Sequence, residues 1–333
     1  MIVDGRRVAA PPDSTVLDAA RSAGIEIPAL CHHPALPAAG ACRLCVVEVE
    51  GRGVHPACLL PASDDLVVTT DSERLRAARR ASLSLLLDGY TPGVGRPDNE
   101  LLRLAERSGL APCRGATRSW RAIDEGNPLV RFDPNACVRC WRCVRACESL
   151  NGLGIIGVFG RNGDAHVGFG HDQPMHGSGC EFCGMCEAVC PTDALSVKIG
   201  GLLPESAGRT VSTVCDYCGV GCRMNLQLAD DRIAGTTPDW HAPANHGLLC
   251  VKGRFGWGFV QHPDRLTRPL VRRALLEGHG TDLVETDWDT ALDLVARTLV
   301  RIRNDHGADR LGFLASAKCT NEENYLFQKL ARQ

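Results

Sequence analysis

Apolar positions along the chain fall into short groups whose spacing changes from segment to segment. Ile2-Val-Asp-Gly-Arg-Arg-Val-Ala sets two β-prone runs around the turn dipeptide Asp4-Gly5 and predicts a hairpin. Thr15 with Asp18 three residues on forms a capping-box pair, and Gly24 is a natural stop. The helix between them is expected to bury Val16, Leu17, Ala20 and Ala23. Val46-Val-Glu-Val-Glu alternates as a strand. Residues 74–87 read as a helix with a basic first half and Leu83, Leu85, Leu86 and Leu87 at its end. Further on, Thr286 and Asp289 are expected to cap a helix with Trp288, Ala291, Leu292, Val295, Leu299 and Ile302 on one face. Leu311-Gly-Phe-Leu reads as a strand, and Thr320 with Glu323 caps a last helix, still periodic at Leu326 and Leu330 where the sequence stops. One strand and two helices cannot close a doubly wound sheet. This segment is therefore expected to open a larger α/β domain, the chain being a fragment or one half of a split enzyme.

Charge narrows the functional classes. Thirty-seven Lys and Arg against thirty-nine Asp and Glu leave a net charge of −2, which excludes a polycation built for nucleic acid. No run approaches the roughly 18 apolar residues of a membrane span. No apolar stretch follows Arg6-Arg7 to make a secretory or twin-arginine signal, so a cytoplasmic location is expected. Disulfides rarely persist there, yet the 333 residues include 18 cysteines. Cysteine on that scale in a reducing compartment points to metal.

Sixteen of the cysteines sort into four sets. Cys31, Cys42, Cys45 and Cys58 form C-x10-C-x2-C-x12-C. Cys137, Cys140, Cys143 and Cys147 form C-x2-C-x2-C-x3-C, and Cys180, Cys183, Cys186 and Cys190 repeat it at an offset of 43 residues. Cys215, Cys218, Cys222 and Cys250 form C-x2-C-x3-C-x27-C, leaving Cys113 and Cys319. Zinc is the rival to iron–sulfur, because C-x2-C pairs also build ribbons and knuckles. Three thiolates on one tight loop suit three corners of a cubane better, with the fourth supplied from elsewhere. Two-cluster ferredoxins exchange that fourth cysteine, and their run ends in Cys-Pro, as Cys190-Pro191 does and Cys147-Glu148 does not. The expected sets are therefore Cys137, Cys140, Cys143 with Cys190, and Cys180, Cys183, Cys186 with Cys147. Trp141 and Phe182 fall within these loops, where apolar cover tunes a reduction potential. Arg139, Arg142 and Arg145 interleave with the first motif, either as a solvated face or as charge balance for an anionic cluster. The hairpin, helix, cysteine loop and strand of the first segment together make a β-grasp ferredoxin for [2Fe–2S].

Thr15-Val-Leu-Asp-Ala-Ala, Ile27-Pro-Ala-Leu-Cys-His-His and Gly40-Ala-Cys-Arg-Leu-Cys-Val-Val-Glu-Val carry a resemblance over residues 1–87. The segment resembles the N-terminal ferredoxin domain shared by the large iron–sulfur subunit of respiratory complex I, iron-only hydrogenases and NAD-linked formate dehydrogenase alpha subunits. The resemblance implies four cysteine ligands, with His32 and His33 outside the ligand set. Those relatives place His-x3-Cys-x2-Cys-x5-Cys after the leucine run. This chain has Leu87-Asp-Gly-Tyr-Thr-Pro-Gly-Val-Gly-Arg there, so the extra cluster is expected to be missing and Cys113 to be a buried or incidental thiol.

Val214-Cys-Asp-Tyr-Cys-Gly-Val-Gly-Cys and Cys250-Val-Lys-Gly-Arg-Phe-Gly, followed by His262-Pro-Asp-Arg-Leu-Thr-Arg-Pro-Leu, resemble the molybdopterin oxidoreductases, formate dehydrogenases in particular. Gly219 and Gly221 would permit the tight turn between thiolates. The resemblance implies that Lys252 lies between a cluster and the pterin. It also implies that the Ala317-Lys-Cys-Thr-Asn-Glu loop, with Asn321 and Glu322, touches the pterin dinucleotide. Cys319 belongs to that loop, and the family's metal ligand with its His and Arg lies further downstream, so no catalytic residue is expected in this chain.

The expected fold class is a multidomain α+β chain. A β-grasp [2Fe–2S] ferredoxin (1–75) is followed by a helical linker (76–125) and a two-cluster ferredoxin (126–205). A molybdopterin-oxidoreductase cluster domain (208–265) and the start of an α/β pterin-binding domain (266–333) complete it. The expected cofactors are one [2Fe–2S], three [4Fe–4S] and, in the complete enzyme, a molybdopterin guanine dinucleotide with molybdenum or tungsten. The expected function is the electron-transfer and cofactor-docking portion of a formate dehydrogenase alpha subunit. Its partners would be a flavin-containing, NAD-reducing diaphorase subunit and the remainder of the catalytic domain. The alternatives are a non-catalytic electron-transfer subunit of the complex I or hydrogenase type and a stand-alone ferredoxin-like adaptor.

Overall fold

The computed structural model describes residues 1–92, 98–111, 121–198 and 208–333; Cys113 lies outside them. The chain divides into two compact units, one of residues 1–213 with 222–255 and one of residues 214–221 with 256–333. Among the described residues no helix is long and apolar enough to cross a membrane.

The larger unit opens with β1 (Ile2–Val3) and β2 (Arg6–Arg7), paired antiparallel. Asp4 and Gly5 both take positive φ, 48° and 76°, as a tight hairpin of right-handed strands requires. Helix α1 (Val16–Ser22) starts on the expected box, Thr15 Oγ1 accepting from Asp18 N and Asp18 Oδ2 from Thr15 N. Its buried stripe is Val16, Leu17, Ala19 and Ala20; Ala23 is exposed, because the helix ends before it and the chain turns at Gly24. Strands β3 (Val46–Val49), β4 (Gly53–Pro56) and β5 (Val67–Thr69) complete a five-stranded sheet of order β2-β1-β5-β3-β4. β5 runs parallel to β1 with Ile2 opposite Val67, and Val3, Val16, Leu17, Val47, Val49 and Val68 fill the core under α1.

Helices α2 (Glu73–Asp88) and α3 (Glu100–Arg107) begin on side-chain caps from Ser72 and Asn99. Of the leucine run, Leu83 and Leu87 are buried while Leu85 points to solvent at 76% exposure. The tandem-cysteine segment follows, with β6 (Val130–Phe132), α4 (Arg142–Arg145), the hairpin β7 (Ile156–Phe159) and β8 (His166–Phe169), α5 (Met185–Ala188) and β9 (Leu195–Val197). β6 pairs antiparallel with β9, so the entry to the first motif lies beside the exit of the second. One continuous core joins Leu30 and Leu44 of the first cysteine loop, Leu83, Leu87 and Leu101 of the helices, and Val130, Phe169 and Leu195 of the tandem segment. A three-stranded sheet of β10 (Arg209–Val214), β11 (Arg223–Ala229) and β12 (Arg232–Pro238) then carries α6 (Val251–Phe255). Thr236 Oγ1 on β12 donates to Arg254 O on α6 at 2.6 Å.

The smaller unit holds β13 (Leu270–Arg272) paired with β14 (Leu283–Glu285), α7 (Arg273–Glu277), α8 (Trp288–His306) and α9 (Asn321–Arg332). Two expectations change here. Helix α8 is capped by Asp287, whose carboxylate accepts from Thr290 N at 2.8 Å, and Thr286, one residue earlier, donates its N–H to Pro269 O. Residues 311–314 form no strand, β13 and β14 being paired with each other, and Phe313 rests edge-on against Phe327 of α9 instead. The α9 capping box between Thr320 and Glu323 forms as expected. No side chain of α8 is buried, Trp288 being 67% exposed.

The docking of α2 on the β-grasp sheet rests on Arg79. Its Nε donates to Leu44 O at 3.2 Å, and its Nη2 to Val46 O and Thr70 O at 2.7 Å each. Arg79→Met keeps the apolar stem and strips three main-chain carbonyls of their donor, a loss of about 1–3 kcal/mol. Urea unfolding followed by the signal of the first domain should show a lower midpoint with an unchanged slope. An unchanged midpoint would mean that water replaces the guanidinium at no cost.

Candidate metal centres

The first cysteine set gathers between α1 and β4. Cys31, Cys42, Cys45 and Cys58 are all buried, the first three on the loop that leads into β3 and the fourth just past β4. Cys31 N donates to Cys42 Sγ and Cys42 N to Cys31 Sγ, both at 3.4 Å. The left-handed turn that makes this reciprocal contact passes through Gly40 (φ +61°) and Arg43 (φ +57°). A Cβ on Gly40 would also lie 2.4 Å from Leu59 Cδ1. The sulfurs are close enough to share protons. Hydrogen bonds from the Cys42 and Cys58 thiols pull Cys31 down to about 2, and a bond from Cys58 holds Cys45 at about 7. Cys42 and Cys58, as the donors, are pushed up. Four buried thiols this close, two of them held low by the other two, could serve as donors to a cationic centre.

His32 and His33 are turned to other tasks. Arg21 Nη1 donates to His32 Nδ1 at 3.0 Å, and His32 Nε2 lies 3.5 Å from Asp18 Oδ1. His33 Nδ1 accepts from Ala35 N at 3.2 Å while its ring meets Trp240 edge-on at 4.6 Å, and burial holds its pKa at about 4.

The tandem motifs surround two cavities. Cys137, Cys140, Cys143 and Cys190 line one, with Trp141, Phe132 and Leu195. Cys147, Cys180, Cys183 and Cys186 line the other, with Phe182, Ile156 and Met175. Each cavity thus takes three cysteines from one motif and the last cysteine of the other. Burial pushes Cys140 up to about 12, and the negative field of Cys190 adds to the push. Burial likewise raises Cys143 and Cys186, each further raised by the other thiols of its cavity. Thiolates crowded this way out of water need positive charge among them, which a cluster of iron would supply. Among the described residues no three His, Cys, Asp or Glu side chains are arranged to grip a single metal ion.

The two motifs share one backbone path. Arg139 and Trp141 lie in the left-handed region at φ +56° and +60°, and their counterparts 43 residues on, Phe182 and Gly184, at +58° and +74°. The turn aims Arg139 N at Cys137 Sγ and Phe182 N at Cys180 Sγ, each at 3.4 Å. One contact has no counterpart and was not foreseen: Asn151 Nδ2 donates to Cys183 Sγ at 2.8 Å, while Ala194 occupies the repeat position. The interleaved arginines are not a solvated face. Arg142 is buried against Glu100, and Arg145 points its guanidinium at the Cys31 loop.

The fourth set is divided between the units, Cys215 and Cys218 in the smaller and Cys222 and Cys250 in the larger. Gly221 has φ +69°, whereas Gly219 avoids that region; a Cβ there would lie 3.3 Å from Ala317 O. Lys252 is exposed on α6, two residues before Arg254, which makes a buried ion pair with Glu187 of α5. Asn321 and Glu322 are exposed in the first turn of α9, and Cys319 is half-buried before it.

Comparison with known proteins bears on this geometry. Residues 1–73 match the 2Fe-2S iron-sulfur cluster binding domain, and residues 127–196 the ferredoxin-like domain of NADH-quinone oxidoreductase subunit 3. Residues 209–262 match the molybdopterin oxidoreductase Fe4S4 domain, and residues 265–333 the molybdopterin oxidoreductase domain. The alpha subunit of a NADPH-Fe(3+) oxidoreductase from Geobacter sulfurreducens is 34% identical over the whole chain, which spans 38% of that protein. A Staphylococcus haemolyticus protein provisionally named a formate dehydrogenase is 28% identical over 99% of the chain, which spans 37% of it. In the crystal structure of a NAD+-reducing [NiFe]-hydrogenase in its H2-reduced state, one chain matches at 32% identity and a TM-score of 0.54. The match covers 61% of this chain and 88% of that one. The four domain matches follow one another along the sequence, and the Geobacter and Staphylococcus relatives align with at least 99% of it. The chain belongs to the molybdopterin oxidoreductase family, as the iron–sulfur electron-transfer portion of one of its subunits.

Proposed function

We propose that the chain is the electron-transfer and cofactor-docking part of a cytoplasmic formate dehydrogenase alpha subunit. The observation that carries the electron-transfer reading is the exchanged fourth cysteine of the two tandem cavities, a donor arrangement suited to paired clusters. Cys31, Cys42, Cys45 and Cys58 would hold [2Fe–2S]. Cys137, Cys140, Cys143 and Cys190 would hold one [4Fe–4S], Cys147, Cys180, Cys183 and Cys186 a second, and Cys215, Cys218, Cys222 and Cys250 a third. Lys252, Asn321 and Glu322 would face a molybdopterin guanine dinucleotide carrying molybdenum or tungsten. When bound, the clusters supply one-electron carriers and the pterin-held metal the two-electron oxidation of formate to carbon dioxide. The chain's own share is to exclude water around buried sulfur, to aim amide N–H groups at it, and to keep a lysine charge beside the pterin.

Formate as substrate is supported by the Val214-Cys-Asp-Tyr-Cys-Gly-Val-Gly-Cys and Cys250-Val-Lys-Gly-Arg strings and by the provisional names of relatives such as the Staphylococcus protein. A flavin-containing, NAD-linked partner is supported by the likeness to the NAD+-reducing hydrogenase. The 34% identity to the Geobacter NADPH-Fe(3+) oxidoreductase subunit favours a second reading, in which a reduced nicotinamide, through its partner, is the electron source. Formate added anaerobically to the full-length subunit should bleach the cluster absorbance. Bleaching by NADPH with the partner subunit, and none by formate, would establish the second reading instead. In the same protein Lys252→Met should leave metal and cluster content unchanged while formate-driven bleaching slows steeply, and Lys252→Arg should recover only part.

Iron and acid-labile sulfide should each be found at about 14 per chain, the sum over one [2Fe–2S] and three [4Fe–4S] centres. Zinc at one per motif with little sulfide would overturn the assignment.

Asn151→Leu removes the amide donor from Cys183 without opening a cavity. Because hydrogen bonds to sulfur raise a cluster's potential, the midpoint of the Cys147/180/183/186 site should fall while the other sites stay. An EPR redox titration resolves the two tandem signals, and equal midpoints before and after substitution would show that the Asn151 bond has no electronic role.

A further inference from the structure

Two guanidinium groups of the first tandem motif join the main chain of the Cys31 loop to that of the first tandem cavity. Arg145 Nη2 donates to Cys31 O at 2.6 Å and to Cys140 O at 3.4 Å. Its Nε donates to Trp141 O at 3.2 Å and its Nη1 to Pro37 O, so the fork is held on every side. Arg142, 3% exposed, donates through Nη2 to His32 O at 2.7 Å and through Nη1 to Val189 O at 3.3 Å. Both of its Nη atoms meet the Glu100 carboxylate at 2.8 Å. His32 follows Cys31, and Val189 precedes Cys190. Each guanidinium therefore ties a residue at Cys31 to a residue at a cysteine of the same tandem cavity, Cys140 directly and Cys190 through its neighbour. From Cys31 Sγ to Cys140 Sγ the path is covalent except for two hydrogen bonds that share one nitrogen.

The chemistry suits arginine. Burial lowers the Arg145 pKa but leaves it a guanidinium, and although burial acts on Arg142 too, Glu100 raises it on balance, so both forks keep their charge. A fixed cation between two groups of thiolates reduces their mutual repulsion, and a planar fork sets an angle as well as a distance. A lysine in the same place would be a point charge on a flexible stem. We propose that Arg145, braced by the Arg142–Glu100 pair, is the positioning residue of an electron-transfer junction between the Cys31/42/45/58 site and the Cys137/140/143/190 site. The inference rests on the iron–sulfur reading of those two sites. The step across the junction moves one electron: the donor site is oxidised by one equivalent and the acceptor site reduced by one. No bond is made and no proton leaves the guanidinium.

The test uses the full chain with its clusters reconstituted anaerobically. Iron and sulfide content, the dipolar broadening of the [2Fe–2S] EPR signal by its reduced neighbour, and the rate of electron equilibration after a reducing pulse are measured together. Arg145→Met should keep iron, sulfide and both signals. It should weaken the broadening and slow equilibration severalfold, because the two sites are then free to drift apart. Arg145→Lys should fall between the two. Unchanged broadening and rate in Arg145→Met would overturn the proposal. If Arg145→Met fails to load the Cys31 site, Arg145→Lys decides: a slowed rate supports the junction, and an unmodified rate overturns it. Failure of the iron–sulfur reading is distinct, because the unsubstituted chain would then show neither signal, and both proposals would fall together.

Discussion

Twelve cysteine side chains of the larger unit crowd into three places away from water, and ionised sulfur in such places is held only by positive charge and hydrogen-bond donors. Much of the surrounding structure answers that constraint. The chain takes left-handed steps at Arg43, Arg139, Trp141 and Phe182, conformations that side chains other than glycine resist. At Cys137 and Cys180 the return is a main-chain N–H aimed at sulfur. The short α4 and α5 begin immediately after these turns, carrying Cys143 and Cys186 in their first residues. Apolar cover from Phe132, Ile156, Leu195 and Met175 then closes the cavities.

The same constraint explains why the linker helices α2 and α3 are part of the core. Leu83, Leu87, Leu101 and Leu104 fill the space between the Cys31 loop and the tandem segment. Tyr90 Oη accepts from Asn99 Nδ2 at 2.8 Å within the same layer, and the same Asn99 nitrogen donates to Thr192 O at 3.4 Å, so the end of α2 and the start of α3 are tied to the residue two past Cys190. A loose joint there would let the separation between the sulfur sites vary, and a relay tolerates little of that. The multidomain order of the sequence therefore becomes one packed body over most of the larger unit.

What was legible in the sequence follows from how local each signal is. The three-thiol loops could be read because spacing alone puts three sulfurs on one turn, and the exchanged fourth cysteine because that run is the one two-cluster ferredoxins use. The Thr15 and Thr320 caps could be read from spacing as well. β4 and β5 escaped because each is three or four residues long and is defined by a partner elsewhere, β5 by β1 more than sixty positions away. The strand expected at 311–314 failed in the opposite way: its residues favour a strand, but β13 and β14 use each other. The α8 cap lies at Asp287, one residue past Thr286, where a carboxylate with its own Thr three residues on offers an equally local capping pair. Arg142 and Asn151 carry no spacing rule at all. A charged residue in a cysteine loop looks like surface until its carboxylate partner, Glu100, is known to come from a helix forty-two residues earlier.

The tandem repeat shows where that legibility ends. The cysteines and the left-handed steps recur at the offset of 43, although Asn151, which donates to Cys183 Sγ, has Ala194 as its counterpart. Positions that face a neighbouring segment do not. Arg142 and Arg145, directed to the Cys31 loop, correspond to Met185 and Ala188. Glu187, paired with Arg254 of α6, corresponds to Val144. Met185 is fully buried, and a guanidinium in its place would have no acceptor row comparable to the Cys31 loop. A duplicated motif thus keeps one cysteine framework and acquires two different exteriors, each fitted to its own neighbour. The ion pair between Arg254 and Glu187 and the Arg142–Glu100 pair are the same solution reached on opposite sides: a buried charge whose partner belongs to the next module, so that either module alone would leave a charge unpaired. Apolar contacts impose no such cost, because an exposed apolar face can meet water or another apolar surface, whereas a buried charge needs its own partner.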